Sequence, residues 1–304
     1  MKLGLLTAPF PDTELGDVAR WAAGNGFEQL EVACWPRSGT QARRYAGTSH
    51  IDVRDLSDGR ASEIVAELAE TGITISGLGY YPNPLHPDSE VRNAAIDHLR
   101  QVISGASKLG VPVVNTFIGA DGGRPQKDNW EEAKRVWPAI VDQARDAGVR
   151  VAIENCPMIF SHDEWPSGHN LARNPAMWRM IFEEFGETVG LNLDPSHLVW
   201  QMIDIPRVVR EFGPRIYHLH AKDLEIDREG LYENGILSLG MGWQVPRLPG
   251  LGEVPWDRLF AALYRVGYDG VVCVEHEDRD FERTDELVKR GFLLARDVLK
   301  PYVV

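Results

Sequence analysis

The sequence predicts a (β/α)8 barrel formed by one domain over residues 1–304. Three observations predict it: short β-branched runs alternate with amphipathic stretches, the pair recurs eight times, and the amphipathic stretches repeatedly stop at Gly. A doubly wound open sheet is the main rival. It announces itself by a Gly-rich turn after its first strand, and Leu6-Thr-Ala-Pro-Phe-Pro-Asp12 has no glycine. No long Pro-, Ser- or charge-rich tract separates two self-sufficient patterns, so one domain is preferred to two.

The elements follow in order. Residues 3–8 form the first strand, and a helix runs from about Asp12, whose acid suits a helix N-terminus, to the Gly24-Asn-Gly26 stop. Residues 29–34 are the second strand. A helix over 61–70 stops at Gly72, 73–78 is the third strand, and a long helix over 90–109 stops at Gly110. The fourth strand is 111–117, followed by a helix over 129–147 that stops at Gly148. The last four strands are 149–154, 189–194, 216–220 and 271–275; their helices are 175–185, 205–212, 256–266 and 284–302. Three connections exceed ordinary loop length, near 35–59, 156–174 and 224–255. In a barrel, the loops that follow strands lie at the face where active sites are built.

Composition narrows the class. With 43% hydrophobic, 25% charged and 9% aromatic residues, disorder and fibrous structure are excluded. A net charge of -13 repels nucleic acid and anionic membranes, so neither is an expected partner. Cys34, Cys156 and Cys273 are widely spaced and contain no C-x-x-C pair, which fits a reducing compartment. The opening Met1–Asp12 is too short an apolar run for a signal peptide, and no later stretch approaches the roughly 18 apolar residues of a membrane span. A cytoplasmic location is the expectation.

Four consecutive strands finish on side chains able to bind a metal: Glu154, Asp194, His220 and Glu275. Strand side chains alternate between faces, which places Ala152 with Glu154, Asn192 with Asp194, His218 with His220 and Cys273 with Glu275, all pointing inward. The opposite face is apolar: Val151 and Ile153, Leu191 and Leu193, Tyr217 and Leu219, Val272 and Val274. One such acid alone reads as a helix cap or an ion-pair partner. Three carboxylates converging inside a barrel, however, repel one another unless a cation neutralises them. Three oxygen donors and one imidazole make a hard set suited to Mn2+, the expected ion, with Mg2+, Co2+ or Zn2+ as alternatives. Cys156, two residues beyond Glu154, reads as a buried apolar residue.

The motifs Ile-Glu154-Asn, Asp194-Pro-Ser-His197, His-Leu-His220-Ala-Lys-Asp223 and Val-Glu275-His, with Pro249-Gly-Leu-Gly-Glu-Val-Pro-Trp256, resemble the sugar-phosphate isomerase and epimerase superfamily with the xylose-isomerase-like TIM barrel. The resemblance covers nearly the whole chain. It implies that Glu154, Asp194, His220 and Glu275 hold the metal, that Glu154 and Glu275 double as acid and base, and that His197 contacts substrate hydroxyls. The superfamily's small-ketose epimerases carry a further Glu after the first ligand and an Arg after the histidine ligand. This chain departs from them, with Phe160 at the first place and Lys222 and Asp223 at the second.

A metal that grips a carbonyl and the neighbouring hydroxyl acidifies the C–H between them, so proton abstraction through a metal-stabilised enediolate is the natural chemistry. The expected function is a divalent-metal-dependent sugar isomerase/epimerase. The alternative is a metal-dependent lyase or hydratase acting on a keto-sugar or 3-keto-glycoside by β-elimination. Tyr80, Tyr81, His86 and Trp35 follow strands and Asn115 lies near the end of the fourth; all are expected at the sugar pocket, against a reading as ordinary loop packing. Lys222 is expected to meet the substrate or to pair with Asp223, and His162 and His169 are surface residues or part of a lid. In the 224–255 segment, Tyr232 and Trp243 form either an aromatic wall for a larger substrate or an oligomer contact. The expected partner is a small sugar or sugar derivative, and the expected state a homo-oligomer. Two rival classes are an apurinic-site endonuclease, disfavoured by the acidic balance, and a non-catalytic sugar-binding protein.

Overall fold

The computed structural model describes residues 1–37, 46–159, 168–238 and 241–303. In chain order its elements are β1 (Lys2–Leu6), α1 (Leu15–Gly24), β2 (Gln29–Ala33), α2 (Asp58–Glu70), β3 (Thr74–Gly79), α3 (Ser89–Lys108), β4 (Val113–Thr116), α4 (Gln126–Asp146), β5 (Arg150–Glu154) and α5 (Pro175–Phe185). They continue with β6 (Val189–Leu193), α6 (Ser196–Trp200), α7 (Ile205–Phe212), β7 (Ile216–Ala221), β8 (Asp223–Ile226), α8 (Arg228–Asn234), β9 (Gln244–Arg247), α9 (Trp256–Arg265), β10 (Val271–Val274) and α10 (Asp285–Leu299). Strands β1 to β7 and β10 close into a parallel barrel, each beside its neighbour in sequence, with β10 returning to β1. This is the predicted (β/α)8 fold, and every barrel strand overlaps the run expected for it.

The strand-to-helix rhythm has simple local causes. Ser57, Asp88, Asn174, Asp204 and Thr284 each cap a helix by accepting a first-turn backbone N–H. At the other end, Gly110 and Gly148 take φ of 67° and 70°. The left-handed turn lets Val111 and Val149 donate back to the carbonyls of Ala106 and Ala144, at 2.8 and 2.9 Å, so the chain leaves the helix directly into the next strand. The outward faces behave as their alternation predicts. Val151, Ile153, Leu191, Leu193, Leu219, Val272 and Val274 are buried in one cluster with helix residues such as Trp137, Ile140, Trp178 and Ile181. Tyr217 is half-buried instead, with the Arg150 guanidinium 4.5 Å from its ring centre and its hydroxyl donating to the Glu187 carbonyl.

The barrel interior is polar where the outer layer is oily. Glu31, Asn115, Asn192, His218 and His220 are all fully buried. Room for them is made on β3: Leu30 pairs with Ile75 but Glu31 with Gly77, so the register slips by one residue at Ser76. A Cβ on Gly79 would lie 2.5 Å from Glu31 Oε1, and one on Gly77 would lie 2.8 Å from Asn115 Nδ2.

The segment near 224–255 was expected as a long loop, and it holds secondary structure. β8 and β9 form an antiparallel hairpin carrying α8 at its far end. Trp243 is 1% exposed and packs edge-on against Trp200, whereas Tyr232 is 82% exposed on α8. The two therefore form no common aromatic wall. Asp223 ties this excursion to the barrel: Oδ1 accepts from the N–H groups of Leu224 and Val254, and Oδ2 from Gly250 N–H and Trp256 Nε1–H, all at 2.8–2.9 Å. Among the described residues, no helix is long and apolar enough to cross a membrane.

Replacing Asp223 by Asn turns an amide N–H toward donors that now have an acceptor. Asp223→Asn should cost about 2–3 kcal/mol of stability, read as a lowered midpoint in urea with an unchanged slope.

Candidate active site and metal centre

Glu154 closes β5, Asp194 follows β6, His220 lies on β7 and Glu275 follows β10, so the four predicted residues meet at the C-terminal end of the barrel. All four are buried. His220 Nδ1 lies 3.2 Å from Glu275 Oε2 and 3.8 Å from Glu154 Oε2. Glu154, His220 and Glu275 each place one donor atom within 4.8 Å of the others, a grouping able to hold a metal ion. Asp194 joins through its neighbours: Oδ2 is 3.1 Å from His197 Nε2 and 3.0 Å from Lys222 Nζ. Its backbone N–H donates to Asn155 Oδ1, and Asn155 Nδ2 donates back to its carbonyl, which fixes the turn after β6 to the end of β5.

Lys222 supplies the cation that the carboxylates require. It is 3% exposed, and its ammonium sits 2.7 Å from Glu275 Oε2, 3.0 Å from Asp194 Oδ2 and 2.9 Å from Glu277 Oε2. The alternative pairing with Asp223 does not form, because that carboxylate is occupied by the backbone of the hairpin. Burial pushes the Glu154 carboxyl up, the Glu275 charge adds to the effect, and the group settles at about 7. Burial also pushes Glu275 up, but the Lys222 ammonium and the His220 imidazole outweigh it and hold it at about 2. Asp194 is held well below the carboxylate range, the charges of Lys222 and His197 overcoming its burial.

A divalent ion fits these residues. Asp194 Oδ2, His220 Nδ1 and Glu275 Oε2 are buried atoms with no well-aligned hydrogen bond among the described residues. With Glu154 they offer three carboxylates and one imidazole, a set suited to a hard cation.

Above the cluster opens a cavity of about 430 Å³. Trp35, Tyr81, His197 and Lys222 line it, as expected of the substrate contacts, together with Glu154 and Glu275. Two other expected contacts do not reach it. Asn115 is fully buried on β4, beside Gly77, and neither of its side-chain polar atoms has a partner among the described residues. His86 lies in the turn before α3, where its ring accepts the Asp88 N–H that begins the helix. Tyr80 packs against Trp35 and His98. His169 returns the chain after Glu154 by donating its N–H to Pro157 and Met158 carbonyls, while Phe160 and His162 lie outside the described residues.

Other wall residues escaped the sequence. Cys156 is half-buried in the wall instead of inside the core, and with Glu154 and His197 it forms a second group of metal-capable atoms. Phe117, Met158, Ile159, Trp200 and Pro246 make an apolar upper wall, and Glu277 holds Lys222 from the far side. Glu31 is the largest omission. Its carboxylate lies directly behind His220, with Oε2 2.7 Å from Nε2 and Oε1 accepting the Tyr81 hydroxyl at 2.5 Å. The signal was available, since Gln29-Leu-Glu-Val-Ala33 places one charge in the middle of an apolar strand.

Residues 19–297 match the family described as xylose isomerase-like TIM barrel, and the chain belongs to that family. Among curated relatives it is 28% identical to the uncharacterized protein YfiH of Bacillus subtilis (strain 168), over 91% of this chain and 93% of that one. Among solved structures it is similar to D-psicose 3-epimerase of Clostridium cellulolyticum H10, with a TM-score of 0.70, 20% identity and coverage of 100% and 99% of the two chains. A similar match, at TM-score 0.70, 16% identity and 99% of both chains, is the probable 3-DHS dehydratase AsbF of Bacillus anthracis. The IOLI protein with a binding zinc atom matches at TM-score 0.69, 18% identity and 99% of both chains.

Removing the Lys222 charge leaves buried carboxylates without their nearest cation. Lys222→Met should lower the melting temperature of the metal-free protein, and Mn2+ should raise it by more than it raises that of the wild type. Thermal unfolding with EDTA and with excess Mn2+ measures both.

Proposed function

We propose that this protein is a divalent-metal-dependent sugar isomerase/epimerase that removes a proton next to a carbonyl, with Glu154 and Glu275 as the acid–base pair. One observation carries the reading: two buried carboxyls from different strands face the same cavity floor on either side of His220 Nδ1, 3.8 and 3.2 Å from it, and in the metal-free centre burial raises the proton affinity of Glu154 while Lys222 lowers that of Glu275. Such a pair suits acid–base work near neutral pH, because one member is ready to take a proton and the other to hold or return one. A cation bound by Glu154, Asp194, His220 and Glu275, with Mn2+ our choice, would polarise a carbonyl and its neighbouring hydroxyl and acidify the C–H between them. His197, held by Asp194 and 3.5 Å from Glu154, would meet a substrate hydroxyl. Tyr81 and Trp35 would stack against the sugar ring, and Lys222 would offset the negative charge that develops on the enediolate oxygens. Asn115 and His86 keep no part in this reading. It takes the chain as one domain, cytoplasmic and homo-oligomeric, acting on a small sugar or sugar derivative.

A second reading, β-elimination of water or an alcohol from a keto-sugar, is favoured by the Lys222 ammonium itself. It lies in the cavity wall, where small-ketose epimerases of the superfamily carry an Arg nearby, and a cation that took over Asp194 and Glu275 would free its N–H groups to donate to a departing oxygen. Similarity to a probable dehydratase supports the same reading.

The test is incubation of Mn2+-loaded protein with ketoses, inososes and 3-keto-glycosides in deuterium oxide. Deuterium should enter the carbon beside the carbonyl. A stereoisomer or an aldose–ketose pair of unchanged skeleton selects isomerase/epimerase, and a product lighter by the leaving group selects the lyase. Glu154→Gln and Glu275→Gln should each lower exchange by about 10²-fold or more; near-normal exchange in both would remove the assigned pair.

A further inference from the structure

We infer that Glu31 is a positioning residue: by accepting the Nε2–H of His220, it fixes that imidazole with Nδ1 turned to Glu154 and Glu275, ready to bind the metal. The inference rests on the proposed metal centre and assigns it a residue from the opposite side of the barrel, 189 positions away in sequence.

The geometry is directional. The two ring nitrogens of His220 face different neighbours: Nε2 is 2.7 Å from Glu31 Oε2, while Nδ1 faces Glu275 at 3.2 Å and Glu154 at 3.8 Å and has no well-aligned hydrogen bond among the described residues. Tyr81 Oη and Asn192 Nδ2 also approach Nε2, at 3.2 and 3.1 Å, but Tyr81 donates its proton to Glu31 Oε1. The shortest contact of Nε2 is with a carboxylate oxygen, which accepts, so Nε2 is the nitrogen that keeps its hydrogen. A carboxylate behind a ligating histidine fixes both the ring's orientation and the nitrogen left for the metal, and makes that nitrogen a stronger donor.

Glu31 is itself held. It is fully buried, its second oxygen is engaged by Tyr81, and Tyr81 in turn accepts from Asn192 Nδ2 at 3.1 Å. The bare Gly79 opposite leaves the space it occupies. An unpaired buried carboxylate would be a heavy penalty for a strand, and the His220 contact explains why β2 carries one.

The experiment reads metal affinity and ring protonation in the purified protein, separately from activity. Titration calorimetry with Mn2+ should find Glu31→Gln, an isosteric change, about 10–100-fold weaker than wild type. In the Zn2+-loaded wild type, 15N NMR, with His220 assigned by comparison with His220→Gln, should find Nε2 protonated and Nδ1 metal-bound. Mn2+ affinity within twofold of wild type in a folded Glu31→Gln, even with a lowered melting temperature, would overturn the inference, as would a metal on Nε2. Should Glu31→Gln not fold, the NMR arm on the wild type decides alone. Wild-type protein that binds none of Mn2+, Co2+ or Zn2+ would instead overturn the metal centre on which the inference stands.

Discussion

The cost of burying like charges together governs the rim of this barrel. Glu154, Asp194 and Glu275 converge where little water reaches, and each isolated carboxylate there would cost several kcal/mol. The chain offsets that cost with its own groups, Lys222 among the carboxylates and the His197 imidazole at their edge. The result is a centre that is electrically tolerable as it stands and still holds donor atoms without aligned partners. Binding a cation here is an exchange with Lys222 for the same oxygens, which couples the position of that side chain to the charge state of the site.

Beneath the rim, the barrel interior acts as a polar support. From Ser76 and His218 through Asn192 to Tyr81, Glu31 and His220, each contact joins a strand to another strand or to the Tyr81 segment after β3: Ser76 to His218 at 3.2 Å, His218 to Asn192 at 3.0 Å, Asn192 to Tyr81 at 3.1 Å. Side chains held this way have little rotational freedom, and preorganisation is what an acid–base site requires of the residues behind it. The oily layer between strands and helices supplies most of the stability, which leaves the interior free to be polar.

What the sequence made legible was local. Period-two alternation identified the inward faces of the strands and the residues at their ends, so Glu154, Asp194, His220 and Glu275 were readable with their orientation. Glycine stops and caps marked most helix boundaries for the same reason. What stayed hidden depends on pairs far apart in the chain. Glu31 gains its meaning only once β2 lies opposite β7, and Lys222 turned to Glu277, outside its own strand, instead of Asp223 beside it. Asn115, near the end of its strand, and His86, after one, share the address of the pocket residues, but the first is packed in the interior beside Gly77 and the second is held at a helix start, and neither outcome shows in composition. The four-residue strands of the β8–β9 hairpin are too short to display a period.

The single carboxylate of Asp223 grips both the base of the hairpin and the turns leading to α9. Of the two hairpin residues in the cavity wall, Pro246 lies at the root, opposite Leu224, and Gln244 at the far end, opposite Ile226 and next to α8, where Tyr232 is in solvent. Leu231 of α8 packs on the buried cluster of Trp243, Leu224 and Trp200, the last a residue of the cavity wall, and Arg228 of α8 pairs with Glu253 at 2.8 Å, so root and tip are joined through one apolar cluster and one ion pair. A change in the outer excursion is thereby passed to the edge of the cavity through Trp200, and only the solvent-facing side of α8, around Tyr232, is free to vary without touching it.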